Sequence, residues 1–170
     1  TKPALAGLWP NKNNMNIVLD LGANIECDEK NLCEFASMGA ALFKSLFFNE
    51  RPKVALLNVG LEEYKGNDNL KKTFSIMKKS EIKNFEFCGF IEGNHIMDGD
   101  VDVVITDGFT GNNALKTAEG TANFITSNLK NSLNKISMLL SYSSLKKFKD
   151  KLDPRKYNGA IFLGLQNPLV

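Results

Sequence analysis

The chain reads as an α/β domain built around a largely parallel sheet. Three observations point there. Short, nearly continuous apolar runs recur along the chain, as in strands buried on both faces. Helical patterns lie between them, and that alternation implies βαβ units. The chain has 170 residues, 43% hydrophobic and 24% charged, enough for one domain with a real core.

The elements follow in order. Asn16 to Leu21 (N-I-V-L-D-L) is the first predicted strand. Leu32, Phe35, Ala36, Gly39, Leu42, Phe43, Leu46 and Phe47 then hold the three-four spacing of one helical face. Asp28 is placed to cap that helix, and Pro52 to stop it. Lys53 to Val59 is the next strand. A shorter helix is predicted after Asn67, with Leu70, Phe74 and Met77 inward. Phe85 to Phe90 and Val101 to Thr106 are further strands. A long helix is predicted after Asn112, with Ala114, Leu115, Ala118, Ala122, Ile125, Leu129, Leu133 and Ile136 in phase. Leu145, Phe148 and Leu152 suggest a short helix ended by Pro154, and Gly159 to Leu165 a last strand.

Composition excludes several classes. Net charge is +2, from 21 basic and 19 acidic residues, too balanced to argue for nucleic acid. No run approaches 18 apolar residues, so no membrane span is expected, and no signal peptide is visible. Cys27, Cys33 and Cys88 form no C-x-x-C pair and are expected to be reduced thiols in a cytoplasmic protein. His95 is the only histidine, and no zinc-ligand cluster exists.

The chemistry is expected at one rim. In an open α/β sheet, ligands bind beyond the carboxyl ends of the strands. Three such ends here join glycine to amide or carboxylate side chains. They are Asp20-Leu21-Gly22-Ala23-Asn24, Asn58 to Asn67 with Glu62, Lys65 and Gly66, and Asp107-Gly108-Phe109-Thr110-Gly111-Asn112. Glycine lets the backbone approach a ligand closely, and a loop that opens a helix turns N–H groups toward an anion. Lys65 supplies a cation for phosphate. Asn67 and Asn112 read equally as helix caps. Neither a G-x-x-x-x-G-K-[ST] phosphate loop nor a G-x-G-x-x-G fingerprint occurs.

At these loops the sequence resembles the PlsX family of acyl-acyl-carrier-protein:phosphate acyltransferases. The matching stretches are L-D-L-G-A-N (Leu19 to Asn24), L-L-N-V-G-L-E-E-Y-K-G-N (Leu56 to Asn67), G-F-I-E-G-N (Gly89 to Asn94) and D-V-V-I-T-D-G-F-T-G-N-N-A-L-K-T-A-E-G (Asp102 to Gly120). Y-N-G-A-I-F-L-G-L (Tyr157 to Leu165) is a fifth, and the opening K-P-A-L-A-G-L-W-P also looks like the family. The resemblance implies a three-layer α/β/α fold with a mostly parallel sheet, like isocitrate and isopropylmalate dehydrogenases. It implies a cytoplasmic homodimer, peripheral to the inner face of the membrane, acting early in phospholipid synthesis. Its partners would be acyl carrier protein and inorganic phosphate, with no metal or organic cofactor. The chain lacks the family's D-x-M-G-G-D opening and its H-G-S segment. Residues 1–170 are therefore expected to form a single domain, the central to C-terminal part of a PlsX-type fold.

The implied reaction is attack of a phosphate oxygen on a thioester carbonyl. Lys65 is expected to pair with phosphate and Asn112 to donate to the oxyanion. Asp107, Asn58 and Glu62 would orient those donors, and Asp20 and Asn24 would line the same edge. Gly22, Gly66, Gly108 and Gly111 would keep the backbone close to substrate. His95 is placed in a solvated loop rather than as a general base. Lys146 to Lys156 holds six basic residues against two acidic ones, a local charge of +4. It reads as a solvated face or as a contact for acidic carrier protein or anionic lipid. The competing reading is a non-catalytic segment that binds carrier protein or a membrane surface.

Overall fold

The computed structural model describes residues 2–132, 143, 146 and 160–165. The helix predicted around Leu145, Phe148 and Leu152 lies outside them, as do Leu133, Ile136 and most of the basic run.

Six strands form one sheet: β1 (Ala4–Pro10), β2 (Met15–Leu19), β3 (Lys53–Asn58), β4 (Glu86–Glu92), β5 (Val103–Ile105) and β6 (Ile161–Leu163). Three helices accompany them: α1 (Glu29–Phe47), α2 (Asp68–Lys79) and α3 (Gly108–Ser132). The strand order is β4-β3-β5-β2-β1-β6. Strands β4, β3, β5 and β2 are mutually parallel, and β1 runs antiparallel to both β2 and β6. This is a mixed α/β architecture. Strand β1 has no counterpart among the predicted strands. Its sequence, A-L-A-G-L-W-P, leaves Ala4, Ala6 and Trp9 buried and the others partly covered, and Gly7 and Pro10 interrupt it, a weaker signal than a continuous apolar run.

Alternation along the central strands divides the core in two. Ile17, Leu19, Val54, Leu56, Val103 and Ile105 face α1 and α2, joined there by Phe35, Ala36, Phe43 and Phe74. Val18, Ala55, Leu57 and Val104 face the other way, toward Ile96, Val101 and the Ala114, Leu115 and Ala118 stripe of α3. Helices thus cover both faces, as strands buried on two sides require. Gly39 lets α1 lie close on the sheet, since a Cβ there would sit 2.6 Å from Val103 Cγ1.

The helix ends follow local chemistry. Asp28 caps α1: its carboxylate accepts from the Asn31 N–H, and the Asn31 side chain accepts from the Asp28 N–H. Asn67 caps α2 through the Leu70 N–H. Helix α1 ends before Pro52, because Phe48 takes a left-handed backbone (φ 54°) and closes the last turn onto Lys44. The predicted start of α3 needs correction. The helix begins at Gly108, because Asp107 caps it and not Asn112; the Asp107 carboxylate accepts from both the Thr110 N–H and hydroxyl. No helix among the described residues is long and apolar enough to cross a membrane.

Candidate active site

Sheet order creates the opening. From β2 the chain runs through α1 to β3 and through α2 to β4, both helices on one face. It returns across the opposite face to β5, which lies between β3 and β2, and then enters α3. Neighbouring parallel strands therefore send their helices to opposite faces, and the loops part at that switch point. The register Leu56↔Ile105 and Leu19↔Ile105 sets Asn58, Asp107 and Leu21 level at the rim. A cleft of about 680 Å³ opens there, lined by Ile25, Glu26, Cys27, Asn67, Asp68, Asn69, Asp107, Phe109 and Thr110.

The residues singled out from sequence fall into two groups on either side of this cleft. Around the ends of β2 and β5, Asp20 is fully buried. Its Oδ1 accepts from the Leu5 and Ala23 N–H groups, and its Oδ2 from the Asn24 N–H and side-chain amide. Asp20 therefore supports the loop from beneath and does not line a pocket. Asn24 also donates to the Pro3 carbonyl at 2.7 Å, and its own carbonyl accepts from the Gly108 N–H at 2.7 Å. Both small residues of the α3 start are required by contact: a Cβ on Gly108 would press on the Asn24 backbone, and one on Gly111 on the Asp20 carbonyl. Gly22 has φ 126° and faces the exposed Asn112 side chain across van der Waals distance.

Around the end of β3, the buried Asn58 holds the next loop. Its amide donates to the Gly60 and Lys65 carbonyls, while its Oδ1 has no partner among the described residues and sits against Gly66. Gly66 has φ 88°, which a side chain would strain. Lys65 and Glu62 are half exposed and paired at 2.9 Å. Their hydrogen bond and opposite charges hold the Lys65 ammonium above its ordinary pKa and the Glu62 carboxyl below its own.

Two expectations are corrected by this geometry. Of the helix-opening N–H groups of the Asp107 to Asn112 segment, those of Gly108 and Thr110 are taken within the chain and are not free for an anion. Asn24 takes the Gly108 N–H, and the Asp107 carboxylate takes that of Thr110. Nor do Asn24, Lys65 and Asn112 line the cleft; of the predicted site residues, Asp107 does. After β2 and β5 the first loop residues bond back to the chain, and the next few face the opening. Ile25, Glu26, Phe109 and Thr110 were missed for that reason. Their only signal in the sequence is to lie one or two places from a residue that was chosen.

The cleft is acidic at its polar points, with Glu26, Asp68 and Asp107 and no basic side chain in its lining. Burial, with the Asp20 and Asp107 charges adding to it, pushes the Cys27 thiol up to about 11, so it stays protonated at neutral pH and is no nucleophile. Among the described residues no group of three or more His, Cys, Asp or Glu is placed to hold a metal ion. His95 lies elsewhere. Its Nδ1 is 2.6 Å from Asp98, which also binds Lys12 in the β1–β2 turn at the amino edge of the sheet.

A switch-point cleft between the carboxyl ends of parallel strands is where open α/β folds carry their ligand sites. The family model described as "Fatty acid synthesis protein" matches residues 1–170, and the chain belongs to that family, the PlsX family it resembles. A phosphate acyltransferase from Pelagibacter ubique is 61% identical across 99% of this chain and 52% of its own length. One from Agrobacterium fabrum is 44% identical across 99% of this chain and 49% of its own. The chain spans about half the length of the curated relatives it matches. Among solved structures it is similar to the EutD phosphotransacetylase from Staphylococcus aureus, with a TM-score of 0.58 and 17% identity over 72% of this chain and 43% of that one. A branched-chain phosphotransacylase from Enterococcus faecalis follows, with a TM-score of 0.55 and 13% identity over 70% and 49%. At such identities the two structures speak for the fold alone.

Proposed function

We propose that this chain is part of a phosphate acyltransferase that moves a fatty acyl group from acyl carrier protein to inorganic phosphate, giving an acyl phosphate. The observation that carries this reading is the switch-point cleft, in a chain matched end to end by the family. A phosphate oxygen attacks the thioester carbonyl, the C–O bond forms, and the carrier thiolate leaves. A thioester is already activated, so the protein's task is to hold phosphate in line and to stabilise the tetrahedral oxyanion. The carboxylates of the cleft disfavour phosphate, which supports a position for the anion beside Lys65. Lys65 exchanges Glu62 for phosphate, a change of little cost for a half-exposed pair. The exposed Asn112 amide beside Gly22 donates to the oxyanion. Asp20, Asn24 and Asn58 act through the loops they hold, together with Gly66, Gly108 and Gly111. The whole protein carries the isocitrate/isopropylmalate dehydrogenase-like layers, the homodimer and the peripheral membrane contact that the family resemblance implies. The basic segment at 146–156 serves carrier or lipid contact.

The test is to incubate the purified chain with palmitoyl-acyl carrier protein and phosphate, and to trap acyl phosphate as its hydroxamate. Phosphate-dependent hydroxamate is expected. Lys65→Ala or Asn112→Ala should lower its formation by about two orders of magnitude or more. Near-normal turnover in either variant removes that residue from the mechanism. A folded chain that binds carrier protein yet makes no acyl phosphate supports the competing reading, a binding segment without catalysis.

A further inference from the structure

The cleft carries an apolar feature that the phosphate chemistry does not use. Ile25 is 70% exposed and Phe109 is 63% exposed, and both line it. The bond from the Gly108 N–H to the Asn24 carbonyl joins the two segments, so these side chains come next in line on one wall. Much of the polar lining is already engaged with the protein. Asn67 caps α2, the Asn69 amide donates to the Cys27 carbonyl, and the Thr110 hydroxyl bonds Asp107. The remaining charges are carboxylates, which disfavour an anion and leave a neutral, apolar ligand as the better fit. The volume suits a small molecule rather than a protein side.

We propose that Ile25 and Phe109 form the contact for the acyl chain of a neutral thioester and set a preference for long chains over short ones. This rests on the acyl-transfer reading for the identity of the ligand. It divides the rim: the acyl chain lies in the acidic, apolar cleft, and the phosphate lies on the Lys65 side. Exposed Val59, Leu61 and Tyr64 on the loop after β3 extend the apolar character of the same rim.

The test uses decanoyl- and acetyl-N-acetylcysteamine, two neutral thioesters, titrated into the purified chain and followed by methyl and aromatic chemical shifts. The longer ester should bind at least about tenfold more tightly, and Phe109→Ala should remove most of that advantage while the acetyl ester changes less than about twofold. Ile25→Ala should act in the same direction. Both side chains are exposed, so urea midpoints should stay at the parent value; Phe109→Leu, which keeps apolar area, should retain most of the preference. Equal affinity for the two esters, or a preference unchanged in Phe109→Ala and Ile25→Ala, overturns the proposal. The palmitoyl transfer assay separates the two ideas. Chain-length preference without acyl phosphate defeats the transferase reading alone, whereas transfer with a preference unmoved by both variants defeats this one alone.

Discussion

Asp20 shows how a carboxylate at a functional rim can be structural. All its accepted hydrogen bonds come from the chain itself: Leu5, Ala23 and Asn24. Asp20→Asn replaces one acceptor oxygen with an NH₂ group that must face an N–H donor. We expect a loss of about 2–3 kcal/mol, since a buried donor left unpaired costs its full desolvation. Urea denaturation measures it; a loss within about 0.5 kcal/mol would show that the loop does not depend on this charge. The sequence displayed the right residue types here, with Asp20, Gly22 and Asn24 in a strand-end loop. It could not display direction. Asp20 points down and Gly22 points out because Leu5, fifteen residues earlier, offers its N–H to that carboxylate.

The helices were the most legible parts. Periodicity placed α1 and α2, and capping chemistry placed their starts at Asp28 and Asn67. Asp28→Ala should cost about 1 kcal/mol. Hydrogen exchange in the first turn of α1 should quicken while β3 and β5 amides keep their relative order; unchanged exchange near Asn31 would argue against the cap. The start of α3 was misplaced by five residues for an intelligible reason. Gly108 and Gly111 resemble loop residues, since glycine lowers helix propensity. They belong to the helix because contact with Asn24 and Asp20 leaves no room for a side chain. Strand β1 was missed because Gly7 and Pro10 interrupt its apolar residues, and its place comes from pairing with β2 and β6.

Across the sheet's amino edge, Asp98 ties the β1–β2 turn to the crossover before β5. Lys12 and then His95, by hydrogen bond and charge, hold its carboxyl below the ordinary carboxylate value. A depressed folded pKa stabilises the fold above the unfolded pKa, and that contribution is lost as pH falls through the folded pKa. Lys12 is held above its ordinary value by Asp98, so its share is present below the unfolded lysine pKa and is lost as pH rises through the raised one. Asp98→Asn should therefore lower the urea midpoint at neutral pH and converge with the parent chain in strong acid. The Asp98 carboxyl ¹³C titration should move upward in Lys12→Ala; an unmoved midpoint would remove Lys12 as the cause.

Short apolar runs, helical spacing and capping residues act within a few places along the chain, so the α/β character, most strands and the family resemblance were readable from one dimension. The rim that holds the candidate cleft was readable too, but most of the residues that line it were not. Which loops meet depends on β5 entering between β3 and β2 and on α3 leaving by the face opposite α1. Those are long-range packing choices, made by both sides of the sheet needing cover, and they turn Asp20 and Asn24 into supports while leaving Ile25 and Phe109 at the opening.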